Sequence, residues 1–335
     1  MRRCPGGGCR RAGSPTCTVR AVSHRRGRIR HTGWLAATLL AVGLGSCLPA
    51  GSLRAAERPD PEIRTVETGS SSRAARQDAL TALSKVMLPR EQAKLVRECV
   101  GSTTLYRRLP TKEFACHPDM LVFALEHPEG VVDIWRVLDI SRLTLDPAGP
   151  DQWRLADGYG TVGTMRTLHR SGDATQGMLV LHGQGGYAGP FAPKPLSGRC
   201  VVLLRYHYDG SPGQPGHRVC LKTDAFLDVD GLGFEIVTRT LQPLIVSTAG
   251  WNVHEICLFM GHLSRTAAEN PLGVERLSQR LTQIAPEHRR QLAMAAHRAA
   301  GDGGALAGEA EIAGRLASRW MSNELPTERA VPSTP

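Results

Sequence analysis

Between about residues 120 and 240, short apolar runs recur with turn residues between them, and this pattern constrains the fold more than any other feature of the chain. No amphipathic stretch of 10–15 residues separates one run from the next. Parallel strands need such helices as crossovers, so the pattern predicts an antiparallel sheet or sandwich. The predicted strands are 120–125, 131–137, 153–156, 161–168, 177–181, 200–208, 218–223 and 234–240.

The first two of these runs flank the tetrapeptide His127-Pro128-Glu129-Gly130. Proline fixes a backbone angle suited to a turn, and glycine permits a positive φ. The sequence therefore predicts a β-hairpin over 120–137.

Helical periodicity brackets this β-rich part on both sides. Apolar residues recur at helical spacing from 73 to 87, Pro89 ends that helix, and a second short helix is predicted over 91–100. Beyond Gly250 the apolar period is again helical, and Pro286 suits the first turn of a third C-terminal helix out of about four. The predicted class is α+β, with short N-terminal helices, an antiparallel β-rich middle and a C-terminal helical layer.

We expect one domain over 73–325, β-rich over 118–240 and helical over 250–322, followed by a disordered tail at 326–335. An isolated helical tail of about 70 residues would have a thin core, which favours one domain over two. The alternative is a separate helical module that begins near Gly250.

The front of the chain has the plan of a bacterial secretory signal. Residues 1–47 contain nine Arg and no Lys, Asp or Glu, and residues 34–44 form an uncharged apolar run. Eleven helical residues rise only about 16 Å, well short of a ~30 Å hydrocarbon core, so a permanent membrane span is the weaker interpretation. We predict export, with 48–72 as a flexible tether rich in Pro, Ser, Arg and Glu.

The apolar run ends in Leu44-Gly45-Ser46-Cys47, which resembles the lipobox of bacterial lipoproteins. The resemblance covers four residues and implies that Cys47 receives diacylglycerol and becomes the first residue of the mature chain. Leu48, where lipoproteins retained at the inner membrane often carry Asp, implies the outer membrane. The alternative is ordinary cleavage near Ser52, with Cys47 discarded in the signal.

Residues 1–21 fit no part of a secretory signal, because they show neither apolar periodicity nor a helix signal. We hypothesise that translation starts at Val19 or Val22. A zinc site built from Cys4, Cys9 and Cys17 is disfavoured, because no CxxC pair or matching His pair lies nearby.

Net charge first suggests a nucleic-acid partner and then argues against one. The chain has 41 Lys+Arg against 31 Asp+Glu, a formal charge of +10. Nine of the Arg lie in the predicted signal, so the mature chain keeps 32 basic and 31 acidic residues, a charge of +1. The electrostatic argument for binding DNA or RNA disappears with the signal. The predicted partner is instead the membrane, reached through the lipid anchor.

Five cysteines follow Cys47, and export would place them in an oxidising compartment. Two disulfides are candidates, Cys99–Cys116 and Cys200–Cys220. The second needs a hairpin centred near Gly210, whereas the strand ends indicate a centre closer to Pro212, which would leave the two cysteines out of alignment. An odd count means that at least one cysteine, such as Cys257, is free or pairs between chains.

Histidines and aspartates form two candidate metal sites in the sequence. His207, Asp209, His217 and Cys220 bracket the 210–216 turn, and together they could bind zinc if the hairpin forms. The simpler interpretation is a polar hairpin tip with a buried cysteine behind it. Asp224, Asp228 and Asp230 suggest a calcium loop, but the required register places Phe226 and Val237 where carboxylates belong, so a solvated turn is preferred. No cofactor is predicted.

No catalytic motif stands out in the sequence. The strand and glycine-rich stretch at 179–186 superficially resembles the oxyanion strand of α/β-hydrolases, but no G-x-S-x-G accompanies it. The sequence therefore predicts an exported binding or scaffold domain of the bacterial envelope. A metal-dependent envelope hydrolase that uses the His207–His217 region is the alternative, and the chemistry of the ligand or reaction is left open.

Overall fold

A computed structural model describes residues 63–188, 195–209, 218–230 and 242–301. Within these ranges it has nine β-strands and seven α-helices, and the predicted α+β class is confirmed. The strands are β1 Ile63–Glu67, β2 Leu105–Arg108, β3 Thr111–Ala115, β4 Thr144–Gly149, β5 Gln152–Ala156, β6 Thr161–Gly172, β7 Gln176–Tyr187, β8 Leu196–Asp209 and β9 Arg218–Val229. The helices are α1 Arg73–Ser84, α2 Arg90–Gly101, α3 Pro118–Glu126, α4 Pro128–Val137, α5 Gln242–Glu269, α6 Pro271–Arg280 and α7 Pro286–Ala300.

All nine strands belong to one antiparallel sheet. Eight of them follow the order β1-β3-β9-β8-β7-β6-β5-β4, and β2 pairs with β9 outside this order. Strands β4 to β9 follow one another both in the chain and in the sheet, as hairpin connections require. Strand β9 pairs with β8 on one side. On its other side it pairs with β2 along one half and with β3 along the other half. Pro110, which has no backbone N–H to donate to a neighbouring strand, lies in the short link between β2 and β3.

Alternate residues of the central strands divide between the two faces of the sheet. We call one face the clamp face, which carries Val180, Val201, Leu203 and Phe226 under α1 and α2. Small residues of α1, among them Ala75 and Ala79, allow that helix to lie close to the strands. The opposite face, which we call the cavity face, carries residues such as Leu179 and Leu204.

The cavity face is covered by helices α3, α4 and α5. The 28-residue helix α5 crosses this face. Its residues Ala249, Val253 and Met260 line the space next to the sheet, and Phe259 and Leu263 of the same helix belong to the main core. Helices α6 and α7 pack beside α5 and complete the C-terminal helical layer in the described part of the chain. None of the helices among these residues is both long enough and apolar enough to span a bilayer.

The predicted hairpin over 120–137 is wrong, because both of its strands are helices. Pro118 and Pro128 occupy the first turns of α3 and α4, and the His117 side chain accepts a hydrogen bond from the Asp119 N–H at the start of α3. Gly130 serves packing rather than a turn, since a Cβ there would lie 2.9 Å from the Phe123 ring. Short apolar runs fit either period, and tertiary packing selected the helix.

Other predicted boundaries also shift. Strand β1 pairs with β3 inside the predicted 48–72 tether, so the folded part begins no later than Ile63. Helix α5 begins at Gln242, eight residues before the predicted change of period at Gly250. The predicted signal 1–47, the strand 234–240, the last predicted helix and the tail 326–335 lie outside the described residues.

Candidate ligand cavity and polar clusters

An apolar cavity of about 210 Å³ lies between the cavity face of the sheet and helices α3, α4 and α5. Its walls come from seven neighbouring strands, β3 to β9, and no charged side chain lines it. At a strand spacing of ~4.8 Å, seven strands span about 29 Å along the sheet. The space therefore suits an elongated apolar molecule better than a compact polar one.

Two hydroxyl groups interrupt this apolar lining. Thr167 on β6 and Thr223 on β9 both line the cavity, and both hydroxyl oxygens are buried without a hydrogen-bond partner among the described residues. A buried hydroxyl without a partner costs about 1–3 kcal/mol, which a ligand carrying one polar group would recover. Strands β6 and β9 are three strand spacings apart, roughly 14 Å, so one polar group of a ligand can reach one of these hydroxyls but not both.

The sequence did not reveal this cavity. The apolar positions of β6 to β9 were recognised as strand core, but periodicity cannot tell a filled core from a hollow one. Small residues on the covering helices, such as Ala124 and Ala249, are the only signal that space remains.

The two predicted disulfides are not formed, because Cys99, Cys116, Cys200 and Cys220 are all buried thiols. Cys99 lies on the clamp face, where its thiol contacts the Phe226 carbonyl, whereas Cys116 belongs to the main core on the cavity side. Cys200 pairs across the hairpin with Leu227, and Cys220 pairs with His207. The expected misalignment of Cys200 and Cys220 is thus present in the register.

Burial makes these thiols unreactive as nucleophiles. It raises the pKa of Cys99, Cys116 and Cys200 to about 12 in each case, and it raises the pKa of Cys220 and Cys257 as well. None of these thiols therefore offers a thiolate near neutral pH.

Only part of the predicted zinc cluster is brought together. His207 and Cys220 face one another across β8 and β9, and the Nε2 of His207 lies 3.7 Å from the Oδ1 of Asp209. The His207 side chain is 58% exposed, as expected for a polar hairpin end. His217 lies outside the described residues, so zinc binding and hydrolysis at this hairpin stay predictions.

The preferred solvated turn is wrong for Asp224 and Asp228, which lie within β9, whereas Asp230 lies in an exposed turn after that strand. Asp224 is fully buried, and its carboxylate accepts hydrogen bonds from Tyr106, Arg108 and Arg205. Asp228 accepts from Ser102 and Arg199. Both carboxylates already accept hydrogen bonds from arginine and hydroxyl side chains, which leaves them unsuited to calcium.

A second polar cluster, which the sequence did not predict as a site, joins the α3–α4 corner to α7. It consists of His127, Glu129 and His288, and one ligand atom of each lies within 4.8 Å of the others. The Trp153 indole donates a 2.8 Å hydrogen bond to Oε2 of Glu129. His288 is far from the other two residues in sequence, so no local spacing pattern could predict the cluster.

Two opposing effects act on the Glu129 carboxyl group. Burial tends to raise its pKa, but the His127 imidazole and hydrogen bonds from the backbone and Trp153 outweigh that effect and hold the pKa below its ordinary value. The carboxylate is therefore ionised at neutral pH although the residue is almost fully buried.

Comparison with known proteins adds little to this geometry. No family model matches the chain, and no curated protein matches it. Among solved structures, it is similar to an uncharacterized protein from Rhizobium leguminosarum at 12% identity, over 45% of this chain and 92% of that chain, with a TM-score of 0.21. That likeness supports no functional conclusion.

Proposed function

We propose that this protein is an exported, lipid-anchored protein of the bacterial envelope whose domain binds an elongated apolar molecule. The observation that carries the binding proposal is the apolar cavity, lined by seven strands and three helices without a charged side chain. The lining of this cavity suits ligands that carry an alkyl or isoprenoid chain.

The energetics favour occupation of such a space. Transfer of each methylene group from water to an apolar site contributes about 0.8 kcal/mol. A chain of ten carbons would gain roughly 8 kcal/mol before the entropy of binding is subtracted. An unfilled cavity also leaves its lining without partner atoms, so a ligand restores dispersion contacts.

The proposed location rests on the sequence alone. The basic and apolar segments within 1–47 and the lipobox-like Leu44–Cys47 support export and acylation. An anchored domain would hold its cavity next to the membrane, where apolar ligands are concentrated.

Binding can be tested with the full chain and a neutral fluorescent probe, N-phenyl-1-naphthylamine, with palmitate as competitor. Ala249 lines the cavity from α5, and Ala249→Phe should fill part of it and weaken probe binding at least 10-fold. Ala268→Phe, at an exposed position of the same helix, is the matched control and should bind as the parent does. Equal affinity in both variants, with both folded by circular dichroism, would refute the cavity as the binding site.

Export and lipid anchoring are tested by a separate experiment, because a protein that is not exported could still bind an apolar ligand. Metabolic labelling with an alkyne analogue of palmitate should mark the chain in the membrane fraction, and Cys47→Ser should abolish the label. An unlabelled parent chain recovered from the cytosol would contradict export and anchoring.

A further inference from the structure

The His127–Glu129–His288 cluster has the donor atoms and spacing of a zinc site. The Nδ1 atoms of His127 and His288 lie 3.5 and 3.3 Å from the same carboxylate oxygen, Oε1 of Glu129. Charge-assisted N–H···O hydrogen bonds are usually 2.7–2.9 Å long, so both separations exceed that range. The three groups converge more loosely than a hydrogen-bonded triad would.

These separations agree with the edges of a coordination tetrahedron. Zinc binds imidazole nitrogen at about 2.0–2.1 Å and carboxylate oxygen at about 2.0–2.2 Å. The edge of a tetrahedron is roughly 1.6 times the bond length, which gives about 3.3 Å between neighbouring ligand atoms. Two imidazoles and one carboxylate also favour zinc over calcium or magnesium, which prefer oxygen donors alone.

One unsatisfied nitrogen atom, the Nδ1 of His288, gives a second reason to expect a ligand. The Nε2 of His127 and the Nδ1 of His288 are buried and have no hydrogen-bond partner among the described residues. Each such atom costs about 1–3 kcal/mol. The imidazole rings stack with their centroids 3.8 Å apart. An ion held by both Nδ1 atoms would give the Nδ1 of His288 a partner and would leave the Nε2 of His127 as it is.

The surroundings already position the carboxylate. Glu129 is 4% exposed, and the hydrogen bond from Trp153 to Oε2 leaves Oε1 facing the two imidazoles. Such outer contacts typically orient metal ligands and raise affinity. The His127 and His288 side chains are 13% and 31% exposed, so an ion could enter beside His288.

We propose that His127, Glu129 and His288 bind one Zn²⁺ ion, with water in the fourth position next to His288. The ion would join the α3–α4 corner to the first turn of α7. This proposal does not depend on the apolar ligand, although Pro128 and Val131, which flank Glu129, also line the cavity.

The experiment measures zinc binding by the full chain, without an affinity tag and after treatment with a chelator. Isothermal titration calorimetry should show one more Zn²⁺ bound by the parent chain than by His288→Gln. Loss of a ligand should weaken this site more than 100-fold, since loss of an outer contact alone costs 10–100-fold. The difference between the two chains cancels any zinc held by cysteines elsewhere.

Two matched variants separate this site from other histidines. His297→Gln removes an exposed histidine of the same helix, one that pairs with Glu275, and should leave zinc binding unchanged. His207→Gln tests the hairpin end and should also leave this site intact. Trp153→Phe, which removes the hydrogen bond to Glu129 and keeps an aromatic ring in the core, should weaken binding by about 10-fold.

The absorption spectrum of bound Co²⁺ is a second measurement, and it reports the ligands of the metal rather than the stability of the fold. Co²⁺ in the parent chain should give the visible absorption of a four-coordinate site with nitrogen and oxygen ligands, and His288→Gln should lose that spectrum. The proposal is overturned if His288→Gln binds as much zinc, as tightly, as His297→Gln does. It is also overturned if the parent chain binds no zinc at micromolar concentration.

Discussion

The two faces of the sheet are built from alternate residues of the same strands, yet they are packed differently. On the clamp face, Val180, Val201, Leu203 and Phe226 are fully buried under α1 and α2. On the cavity face, their immediate neighbours surround about 210 Å³ of space. One face of a sheet can thus be close-packed while the other face of the same strands borders unfilled space.

The two faces of the sheet also differ in the charged residues that they carry. The clamp face carries a buried ion-pair network in which Asp224 of β9 meets Arg108 and Arg205, and Asp78 of α1 contacts the same two guanidinium groups. The cavity lining has no ionisable group except the thiol of Cys257. Any pH dependence of stability from these elements should therefore arise on the clamp face.

The largest effect is expected from removal of the shared carboxylate of this network. Asp224→Ala leaves Arg108 and Arg205 partly buried without their central counter-charge, and removal of one partner of a buried pair typically costs 3–5 kcal/mol. We expect a loss of about that size in the free energy of unfolding, measured by urea denaturation. Cys220→Ala, also on β9 but outside the network, is the control. A loss below about 1 kcal/mol for Asp224→Ala would show that the network contributes little.

Neighbouring leucines of β8 provide a direct comparison of the two faces. Leu203 is fully buried on the clamp face, whereas Leu204 is partly exposed and lines the cavity. Leu203→Ala should cost about 3 kcal/mol, because it opens a cavity in close-packed surroundings. Leu204→Ala should cost about 1 kcal/mol, because it enlarges a space that already exists and loses fewer contacts. Equal losses in thermal or urea unfolding would mean that the two faces are packed alike.

The strand-forming part of this sheet was largely predictable from the sequence. Runs such as 200–208 and 218–223 combine apolar alternation with β-branched residues, and both lie within observed strands. The same rule failed over 120–137, where a continuous apolar stretch fits either period and the prolines at 118 and 128 begin helices.

The sites were far less predictable than the strands. Asp224 looked like a turn residue because a carboxylate in the middle of a strand is unusual, and its two arginine partners come from β2 and β8. The His127–Glu129–His288 cluster likewise depends on the packing of α7 against the α3–α4 corner. A single sequence contains no local signal for contacts of that range.

The smallest effect is expected at Asp78, the exposed end of the same network. Hydrogen bonds from Arg205 and Arg108 lower the pKa of this carboxyl to about 2, against an ordinary value of 3.8. A lowered pKa in the folded state stabilises the protein above pH ~3.8, and this contribution is lost as the pH falls toward 2. Because the side chain is 50% exposed, solvent screening limits the contribution to about 0.5–1 kcal/mol.

Asp78→Asn should therefore lower the free energy of unfolding by that amount at pH 7, and the difference from the parent chain should shrink between pH 4 and pH 2. Urea denaturation at pH 7, 4 and 2.5 measures it. Asp151→Asn, in an exposed pair with Arg170 outside this network, is the control and should change stability by less than about 0.5 kcal/mol. A loss at Asp78 that stayed constant down to pH 2.5 would mean that this side chain stabilises the clamp face through packing rather than through its charge.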